Sequence, residues 1–410
     1  NSYSAIIDGN VTTILTALVL AYFGLGPIKG FAVVLIIGIL CSLFTAVLLS
    51  RLMIDWWTTT RGKTMRYWNR FSQNVMANVN IDWMKYRKYG YMFSGALLLL
   101  SIGSFFVRGF DLSVDFKGGF SYNVQFEQSV NVTAQQLRDE LTTTFGSTPV
   151  VKVVDTENTF NITTEYLVDD TDDDVQERVT AKLHEGINGI VGGNLNYDQF
   201  KQTESPGTHI TSSSRVGPTV ADDIRDSSFY AGTFALLVIF LYLAIRFSQW
   251  KFSLGAVVAL LHDAIITVGM FSLLYNFMPF SMEIDQAFVA AILTVIGYSV
   301  NDTVIVFDRI REFSSIYTGR PKEEVFNLAI NNTLSRTIIT SGTTLIVVIV
   351  LLVFGGATLK GFAFALMVGI FFGTYSSVFV ASALVVDLIT DIKGKTEVKK
   401  KTFSKAATKA

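Results

Sequence analysis

The sequence has few cysteines, prolines and charged residues. Of its 410 residues one is a cysteine, Cys41, six are prolines and 16% are charged, whereas soluble domains carry about 25% charged residues. A single cysteine inside an apolar run excludes an intramolecular disulfide and a cysteine-based metal site. Half of the residues are hydrophobic, with 33 Phe and 31 Gly. This composition predicts a polytopic α-helical membrane protein with one polar insert.

Motifs of hydrolases and nucleotide-binding enzymes are also missing. No HExxH or G-x-S-x-G string occurs. The string RGKT at 61–64 matches the end of a phosphate-binding loop, but Trp57 stands where that motif requires glycine. We therefore expect no enzymatic activity, no cofactor and no metal site.

Long apolar runs predict eight membrane-spanning helices, because about 20 residues are needed to cross the hydrocarbon core. The runs lie at 11–26, 30–52, 89–107, 229–247, 252–275, 285–307, 336–356 and 360–386. Lys and Arg are concentrated in the loops at 51–88, 246–251 and 309–322 and in the tail, which indicates that these segments are cytoplasmic. Segment 108–228 has a net charge of −11 against −1 for the whole chain, and we expect it on the extracytoplasmic side.

These features give a predicted domain organisation. It comprises two helices in 1–55, a basic cytoplasmic linker at 56–88, one helix at 89–107, the extracytoplasmic domain 108–228, five helices in 229–390 and a Lys-rich cytoplasmic tail at 391–410. The chain starts at Asn1 and lacks the basic stretch and cleavage site of a signal peptide. We expect it to be the later part of a longer chain.

The insert alternates segments typical of strands and helices. Strands are predicted at 118–126, 150–155, 159–167 and 209–216, and helices near 133–146 and 172–188. Thr133 is suited to cap the first helix, and the three aspartates at 172–174 suit the positive end of the second. The order β-α-β-β-α-β predicts a ferredoxin-like α+β domain.

An internal repeat joins the two ends of the chain. The string TTILTALVLAYFGLGPIKGFA at 12–32 aligns without gaps with TTLIVVIVLLVFGGATLKGFA at 343–363, an offset of 331 residues. The shared Thr, Gly, Lys and Phe positions are too specific for two unrelated apolar hairpins. The first two spans therefore resemble the end of an earlier copy of a six-helix unit. Equivalent helices are six spans apart in the chain, an even number, which predicts parallel repeats related by an axis along the membrane normal.

Three charged residues in the predicted spans stand out, Asp263, Asp302 and Arg336. Such residues cost about 2.5–3.5 kcal/mol on insertion scales and are candidate functional residues. Asp302 follows Asn301, and at 100° per residue Arg336 shares a face with Thr340 and Thr343. Asp302 and Arg336 are expected in the cytoplasmic half of the membrane, where ionised Asp302 would pair with Arg336 and protonation would release it.

Structural interpretations of these residues remain open. Arg336 is long enough to reach the membrane interface with its charged end. Asp302 is also compatible with a static, hydrogen-bonded packing role. His262 precedes Asp263, and this pair is consistent either with proton transfer or with a satisfied structural contact.

Several longer motifs resemble one known family. The strings VIGYSVNDTVIVFDRIRE (295–312), LSRTIITSGTT (334–344), LLHDAIIT (260–267), VDFKGG (114–119) and IIDGNVTT (6–13) resemble the SecD/SecF family of the bacterial Sec protein-export machinery, part of the RND superfamily. Residues 1–55 resemble the last two helices of a SecD-type half, and about 85–390 resemble a SecF-type half.

The resemblance implies a function and a set of partners. It implies an accessory factor of the bacterial cytoplasmic membrane that promotes preprotein translocation at the expense of a proton or sodium gradient. It also implies contact with lipid, the absent N-terminal SecD portion, the SecY/SecE/SecG channel and unfolded preprotein delivered by SecA, and no contact with nucleic acid. Asp302 and Arg336 match the family's proton-pathway motifs, Asn301 and Asp263 lie in neighbouring motif positions, and Asp8 and Asn10 match the string that opens the fifth SecD helix.

Two other functions are considered. One is an RND-type exporter of small molecules or lipids, which requires large outer porter domains, and an insert of about 120 residues is small for that purpose. The other is a passive assembly subunit whose buried charges only hold helices together. The sequence does not choose between H⁺ and Na⁺ as the coupling ion.

Overall fold

The computed structural model describes residues 2–61, 79–154, 158–247 and 249–389. The predicted linker at 56–88 lies largely outside these residues, and the predicted tail 391–410 lies entirely outside them. The described chain forms a helical part and a small four-stranded sheet domain inserted between its helices.

The helical part is formed from both ends of the chain. Its helices are α1 Ser2–Phe23, α2 Pro27–Phe44, α3 Ser50–Arg61 and α4 Trp83–Val107 before the insert, and α9 Pro218–Phe247, α10 Trp250–Leu274, α11 Gln286–Ile316, α12 Lys322–Phe354, α13 Ala357–Ser376 and α14 Ala383–Leu388 after it. A π-helical turn, Thr45–Leu49, joins α2 to α3, and a second, Ser377–Ser382, joins α13 to α14. The insert contains α5 Val114–Lys117, β1 Gly119–Gln125, α6 Ala134–Phe145, β2 Val150–Val153, β3 Thr159–Thr164, α7 Val175–Val191, α8 Tyr197–Phe200 and β4 His209–Val216.

Within the described residues, seven helices are long and apolar enough to cross a membrane. They correspond to seven of the eight predicted spans. The remaining one is the apolar segment Gly9–Phe23 of α1, which is shorter than the others. α11 is the most deeply buried span and packs against α1, α2, α9, α10, α12 and α13. This central helix carries Asp302.

The insert has the predicted ferredoxin-like fold. Its strand order is β2-β3-β1-β4, with all neighbouring strands antiparallel. Phe120, Tyr122 and Val124 of β1 are buried in the same core as Leu137 of α6 and Leu183 of α7. The other face of the sheet is polar, and its side chains bond to one another, as Asn161 does to Ser121 and Asn123.

The N-termini of α6 and α7 are stabilised in different ways. Thr133 caps α6 as predicted, in a capping box with Gln136. α7 begins at Val175, three residues after the predicted start, and Asp174 makes no side-chain cap bond. The preceding acidic residues instead bind a side chain of the helix: Arg178 lies 2.9 Å from Asp170 and 3.4 Å from Asp172.

The backbone conformation at the start of β1 requires two consecutive glycines. Gly118 has φ 77° and Gly119 has φ 123°, values that L side chains rarely adopt. A Cβ at Gly119 would lie 2.7 Å from the carbonyl oxygen of Thr164. The glycines therefore let β1 pair closely with β3 immediately after α5.

The sheet domain is attached to the helical part next to the start of α11. Lys152 of β2 contacts Asp111, and its Nζ lies 2.5 Å from Glu283 Oε1 in the α10–α11 connection. Leu112 and Ile284 form a β-bridge, and the N–H of Gln286 donates to Asp115 Oδ2 at 3.1 Å. The domain thus binds directly to the segment that begins the central helix.

The internal repeat has equivalent turn geometry in both copies. α1 ends at Phe23 and α12 at Phe354, which are repeat-equivalent residues. The following glycines also bond alike: Gly24 N–H donates to Leu20 O, and Gly355 N–H donates to Leu351 O, both at 2.8 Å. The two hairpins, α1–α2 and α12–α13, are therefore copies in structure as well as in sequence.

Candidate functional site

Two carboxylates are buried among the membrane-type helices. Asp302 of α11 is 3% exposed, and Asp263 of α10 is fully buried. The two networks that surround them are made mostly of serine and threonine hydroxyls.

Asp302 is held by a chain of hydroxyl groups from two neighbouring helices. Ser341 of α12 donates to Asp302 Oδ2 at 3.1 Å. Thr374 of α13 donates to Ser341 Oγ at 2.7 Å, and Tyr298, one turn before Asp302, donates to the same oxygen at 3.3 Å. Ser341 has one proton, which it gives to the carboxylate, and two lone pairs, which accept from Thr374 and Tyr298.

Arg336 is not in ion-pair contact with Asp302 in this structure. Arg336, Thr340 and Thr343 share a face as predicted, but all three are exposed. The face of α12 towards α11 carries Thr337 and Ser341, which are 4% and 3% exposed. The reason is helical geometry, since five residues separate Ser341 from Arg336 and place it about 140° around the helix. Arg336 and Asp302 therefore lie on neighbouring helices without a direct contact.

Asn301 lies where α1 crosses α11. A Cβ at Gly9 would lie 2.2 Å from Asn301 Oδ1, so the absence of a side chain at Gly9 makes room for Asn301. Asn10, the next residue of α1, is half-buried. Asp8 belongs to the same helix, but its side chain lies outside the part of the chain that the structure describes.

Asp263 receives three hydrogen bonds. Ser299 of α11 donates to its Oδ2 at 2.6 Å and Ser376 of α13 at 2.7 Å, while His262 Nδ1 lies 2.9 Å from Oδ1. Ala256, Ala259 and Thr267 on the same face of α10 are also fully buried.

His262 is enclosed together with Asp263. Its side chain is 3% exposed and its ring stacks on Tyr375 with centroids 6.2 Å apart. Its Nε2 is buried and bonds to none of the described residues. With Nδ1 donating to Asp263, Nε2 is left as a proton acceptor. The geometry is compatible both with a structural pair and with proton transfer.

The sequence pointed to the carboxylates but not to their hydrogen-bond donors. Ser341, Thr374, Ser299 and Ser376 were missed, because serine and threonine are frequent in apolar helices and usually bond to their own backbone. A usable signal was the density of hydroxyls in GTYSS at 373–377, directly before a π-helical turn, since such turns occur frequently at functional sites. Chemically, the site can bind and release a proton on either carboxylate.

No group of three or more His, Cys, Asp or Glu within the described residues could hold a metal ion.

Comparison with known proteins gives consistent matches over most of the chain. Residues 196–391 match the family described as protein export membrane protein SecD/SecF, C-terminal, and residues 103–130 match the SecD/SecF GG motif. The chain is 46% identical over 314 residues to the protein translocase subunit SecF of Rhodothermus marinus, covering 77% of this chain and 95% of that protein.

A longer relative and its crystal structure match nearly the whole chain. The protein translocase subunit SecDF of Thermus thermophilus is 33% identical over 390 residues, which cover 94% of this chain and 48% of the relative. The crystal structure of SecDF from that organism superposes with a TM-score of 0.77 at 33% identity, over 94% of this chain and 48% of that one. A second structure, SecDF in a super-membrane-facing form, gives a TM-score of 0.66 at 32% identity. The chain therefore spans about half the length of the SecDF relatives that it matches.

Proposed function

The chain belongs to the SecD/SecF family of protein export membrane proteins, and from this premise we propose that it is part of an accessory motor of the Sec machinery. The motor uses a proton or sodium gradient to promote preprotein translocation across the bacterial cytoplasmic membrane. It catalyses no covalent reaction and needs no cofactor beyond the coupling ion.

The observation that carries the proposal is the environment of Asp302. A carboxylate 3% exposed on the most buried span is costly to keep charged. Among the described residues it is held by hydroxyl groups, with Ser341 donating to it at 3.1 Å, rather than by an ion pair. Such a group exchanges protons at lower cost than one held in an ion pair. Each elementary charge moved across the membrane is worth about 2.3 kcal/mol per 100 mV, so a few ions per cycle are enough to drive a domain movement.

The exposed polar face of α12 supports a SecD-type half as partner. α1 packs on α11 through Gly9 at Asn301 and Thr13 at Gly297. By the repeat offset, Thr340 and Thr344 of α12 are equivalent to Gly9 and Thr13. The same packing in the other copy brings α12, with Arg336, against the SecD counterpart of α11. Arg336 then contacts protein rather than lipid.

The proposed partners follow from this assignment. Unfolded preprotein delivered by SecA and the SecY/SecE/SecG channel lie on the path of the exported chain, and the acidic sheet domain is on the extracytoplasmic side. The multi-pass helical part is in contact with lipid. Movement of α11 reaches the sheet domain through the contacts of Lys152 and Asp115.

The alternative of an RND-type exporter of small molecules or lipids is not favoured. The relatives are named protein translocase subunits, and the insert is one small α+β domain rather than a pair of porter domains. A passive assembly role remains the competing structural interpretation, and it is tested below.

The proposal is tested in the complete protein that contains this chain, in inverted vesicles that export a preprotein under an imposed ion gradient. Asp302→Asn keeps the size of the side chain but fixes a neutral state. We expect normal insertion with loss of the gradient-dependent part of export. Arg336→Ala should lose the same part, because the family resemblance assigns Arg336 and Asp302 to the same ion pathway. Substituting Na⁺ for H⁺ in the gradient identifies the coupling ion.

One control and one further variant distinguish a motor function from an effect on packing. Arg311→Ala removes a charge at the end of α11 that contacts Asp308 at 3.6 Å and should leave export unchanged. Ser341→Ala removes a hydrogen bond to a charged group, worth about 1.5–3 kcal/mol, and should weaken export. Export of Asp302→Asn at the wild-type rate, with equal protein levels, would show that the carboxylate only fills space.

A further inference from the structure

α13 connects the two carboxylate networks. Thr374 donates to Ser341, which donates to Asp302, and Ser376, half a turn later on α13, donates to Asp263 Oδ2 at 2.7 Å. Ser377 shares a hydrogen bond with Thr303, the residue after Asp302, at 3.0 Å. One short segment of one helix therefore contacts the surroundings of both buried carboxylates.

Each of these hydroxyls also has a second acceptor on its own helix. Thr374 Oγ1 lies 3.0 Å from the carbonyl oxygen of Ile370, and Ser376 Oγ lies 3.2 Å from that of Gly373. A hydroxyl has one proton and can donate it to one of the two acceptors fully. Ser377 completes the pattern, with the Gly373 carbonyl 2.9 Å from its Oγ.

The choice between the acceptors depends on the charge of the carboxylate. When Asp302 is ionised it accepts from Ser341, and Ser341 in turn accepts from Thr374. When Asp302 carries a proton it can donate to Ser341, which then turns its own proton towards Thr374, and the Thr374 proton moves to the Ile370 carbonyl. The same reasoning sends the Ser376 proton from Asp263 to the Gly373 carbonyl. Atoms balance in both cases, because one proton is added and the hydroxyls only rotate.

The backbone next to these residues is suited to respond. A Ser or Thr hydroxyl that bonds to a carbonyl one turn back bends a helix. The turn that follows, Ser377–Ser382, is π-helical, and Ser382 Oγ donates to Ser377 O at 2.7 Å across it. A π-helical turn contains wider hydrogen-bonded rings than the α-helix and is a common place for local rearrangement. The titratable groups nearest the two carboxylates are Tyr298 and Arg336 for Asp302, and His262 for Asp263.

We propose that Thr374 and Ser376 are positioning residues that pass the protonation state of Asp302 and Asp263 to α13. Each hydroxyl exchanges its hydrogen bond to the site for one to a carbonyl of its own helix. The π-helical turn at 377–382 accommodates the resulting change in the backbone of α13. This inference rests on the proposed function insofar as that function requires the carboxylates to change protonation state. It adds α13 as the helix on which the two sites act together.

The test measures amide hydrogen exchange by mass spectrometry in peptides covering 370–388, with the 410-residue chain in lipid nanodiscs. Asp302→Asn represents the protonated site, because its amide can donate to Ser341. We expect exchange in this segment to change by about fivefold, the factor that corresponds to one net hydrogen bond. Thr374→Val removes the hydroxyl at nearly constant volume, and in that background Asp302→Asn should leave the segment unchanged. Thr374→Ser keeps the hydroxyl and should preserve the full response.

The control is Thr233→Val on α9, an exposed threonine that bonds only to its own backbone, at Phe229 O; it should leave the response to Asp302→Asn intact. The inference is overturned if Asp302→Asn does not change exchange in 370–388, or if the change persists in the Thr374→Val background. The readout needs no export, so the two proposals fail separately. If Asp302→Asn changes hydrogen exchange in 370–388 but exports at the wild-type rate, the proposed motor function is contradicted. If Asp302→Asn loses export without changing exchange in this segment, only the present inference is contradicted.

Discussion

The rings of Phe31 and Phe362 contact each other, with centroids 6.1 Å apart, and the two residues are equivalent positions of the internal repeat. A residue touches its own equivalent only where the axis that relates the two copies passes between them. The start of α2 and the start of α13 therefore meet at the pseudo-symmetry axis. This contact agrees with a two-fold relation between the two hairpins, and the parallel direction of the repeats stays a prediction.

The contact predicts a crosslink between distant parts of the chain. With Cys41→Ser to remove the native thiol, Phe31→Cys and Phe362→Cys should be joined within one chain by a short bifunctional thiol reagent. The control replaces Phe31→Cys by Val33→Cys, since Val33 is 46% exposed and lies about 200° around α2 from Phe31. Gel mobility measures the product. Equal yields for the two pairs would place the axis elsewhere.

The repeat also supplies a matched pair of glycines, Gly369 and Gly38. A Cβ at Gly369 would lie 2.2 Å from Cγ2 of Val295 on α11, whereas a Cβ at Gly38 meets nothing within 4 Å. Valine is stiff about χ1, so Gly369→Ala has to push α13 away from α11. We expect it to lower the stability of this 410-residue chain by about 1–3 kcal/mol. Gly38→Ala should be neutral or raise stability by up to about 1 kcal/mol through helix propensity.

Thermal unfolding in one detergent compares the two variants directly. Both replacements add the same methyl group at the same repeat position, so their difference reports packing alone. Similar unfolding temperatures for the two would mean that α13 does not pack against Val295 as described.

The topology of the insert could be predicted because its signals are local. Alternating apolar residues give β1 and β3, Thr133 with Gln136 gives the capping box, and the order of elements leaves few possible sheets. The repeat was equally accessible, since its Gly and Lys positions lie at helix ends. Both features are determined by residues close together in sequence.

The partners of Asp302 could not be predicted in the same way. Whether Arg336 or Ser341 faces Asp302 depends on the rotation of α12 about its axis, which is set by packing of Ile330, Leu334 and Val348 against other helices. An apolar helix offers no amphipathic pattern to reveal this rotation. The charge of Arg336 made it the expected partner of Asp302, but the side chain that donates to Asp302 is that of Ser341.

Lys152 gives a prediction for the joint between the sheet domain and the helices. Its ammonium group lies between Asp111 and Glu283, and the three side chains are 16–21% exposed. Lys152→Met leaves two neighbouring carboxylates without a cation, which should destabilise the joint by roughly 2 kcal/mol, below the 3–5 kcal/mol of a fully buried pair. Faster hydrogen exchange at 111–117 and 281–286 measures the loosening.

The control for this change is Lys182→Met on α7. Lys182 pairs with Glu185, which is 65% exposed, and a surface pair of this kind contributes at most about 1 kcal/mol. Lys152→Arg should keep the joint closed because it retains the positive charge. If Lys152→Met exchanges no faster than Lys182→Met, the ion pairs do not hold the domain.

Asp285 predicts how the same joint depends on pH. It caps α11 by accepting from the Phe288 N–H at 2.7 Å. Burial, together with the negative charges of Asp115 and Glu283, raises the pKa of Asp285 from 3.8 to about 6, against the opposing effect of the Phe288 hydrogen bond. The folded state therefore binds this proton more tightly than the unfolded chain does. Its contribution to stability is complete below the unfolded pKa of 3.8 and is lost as the pH rises through about 6.

Asp285→Asn isolates this effect, because asparagine is an equally good N-cap and carries no charge. The variant should match the wild type below about pH 4 and gain on it as the pH rises. Above about pH 6 it should keep a constant advantage in stability on the order of 3 kcal/mol. Thermal unfolding in detergent between pH 4 and 8 gives the difference curve. Asp173→Asn in the exposed acidic turn is the matched control and should follow the wild type throughout. If Asp285→Asn is more stable than the wild type by the same amount at every pH, its effect comes from packing and not from the proton on Asp285.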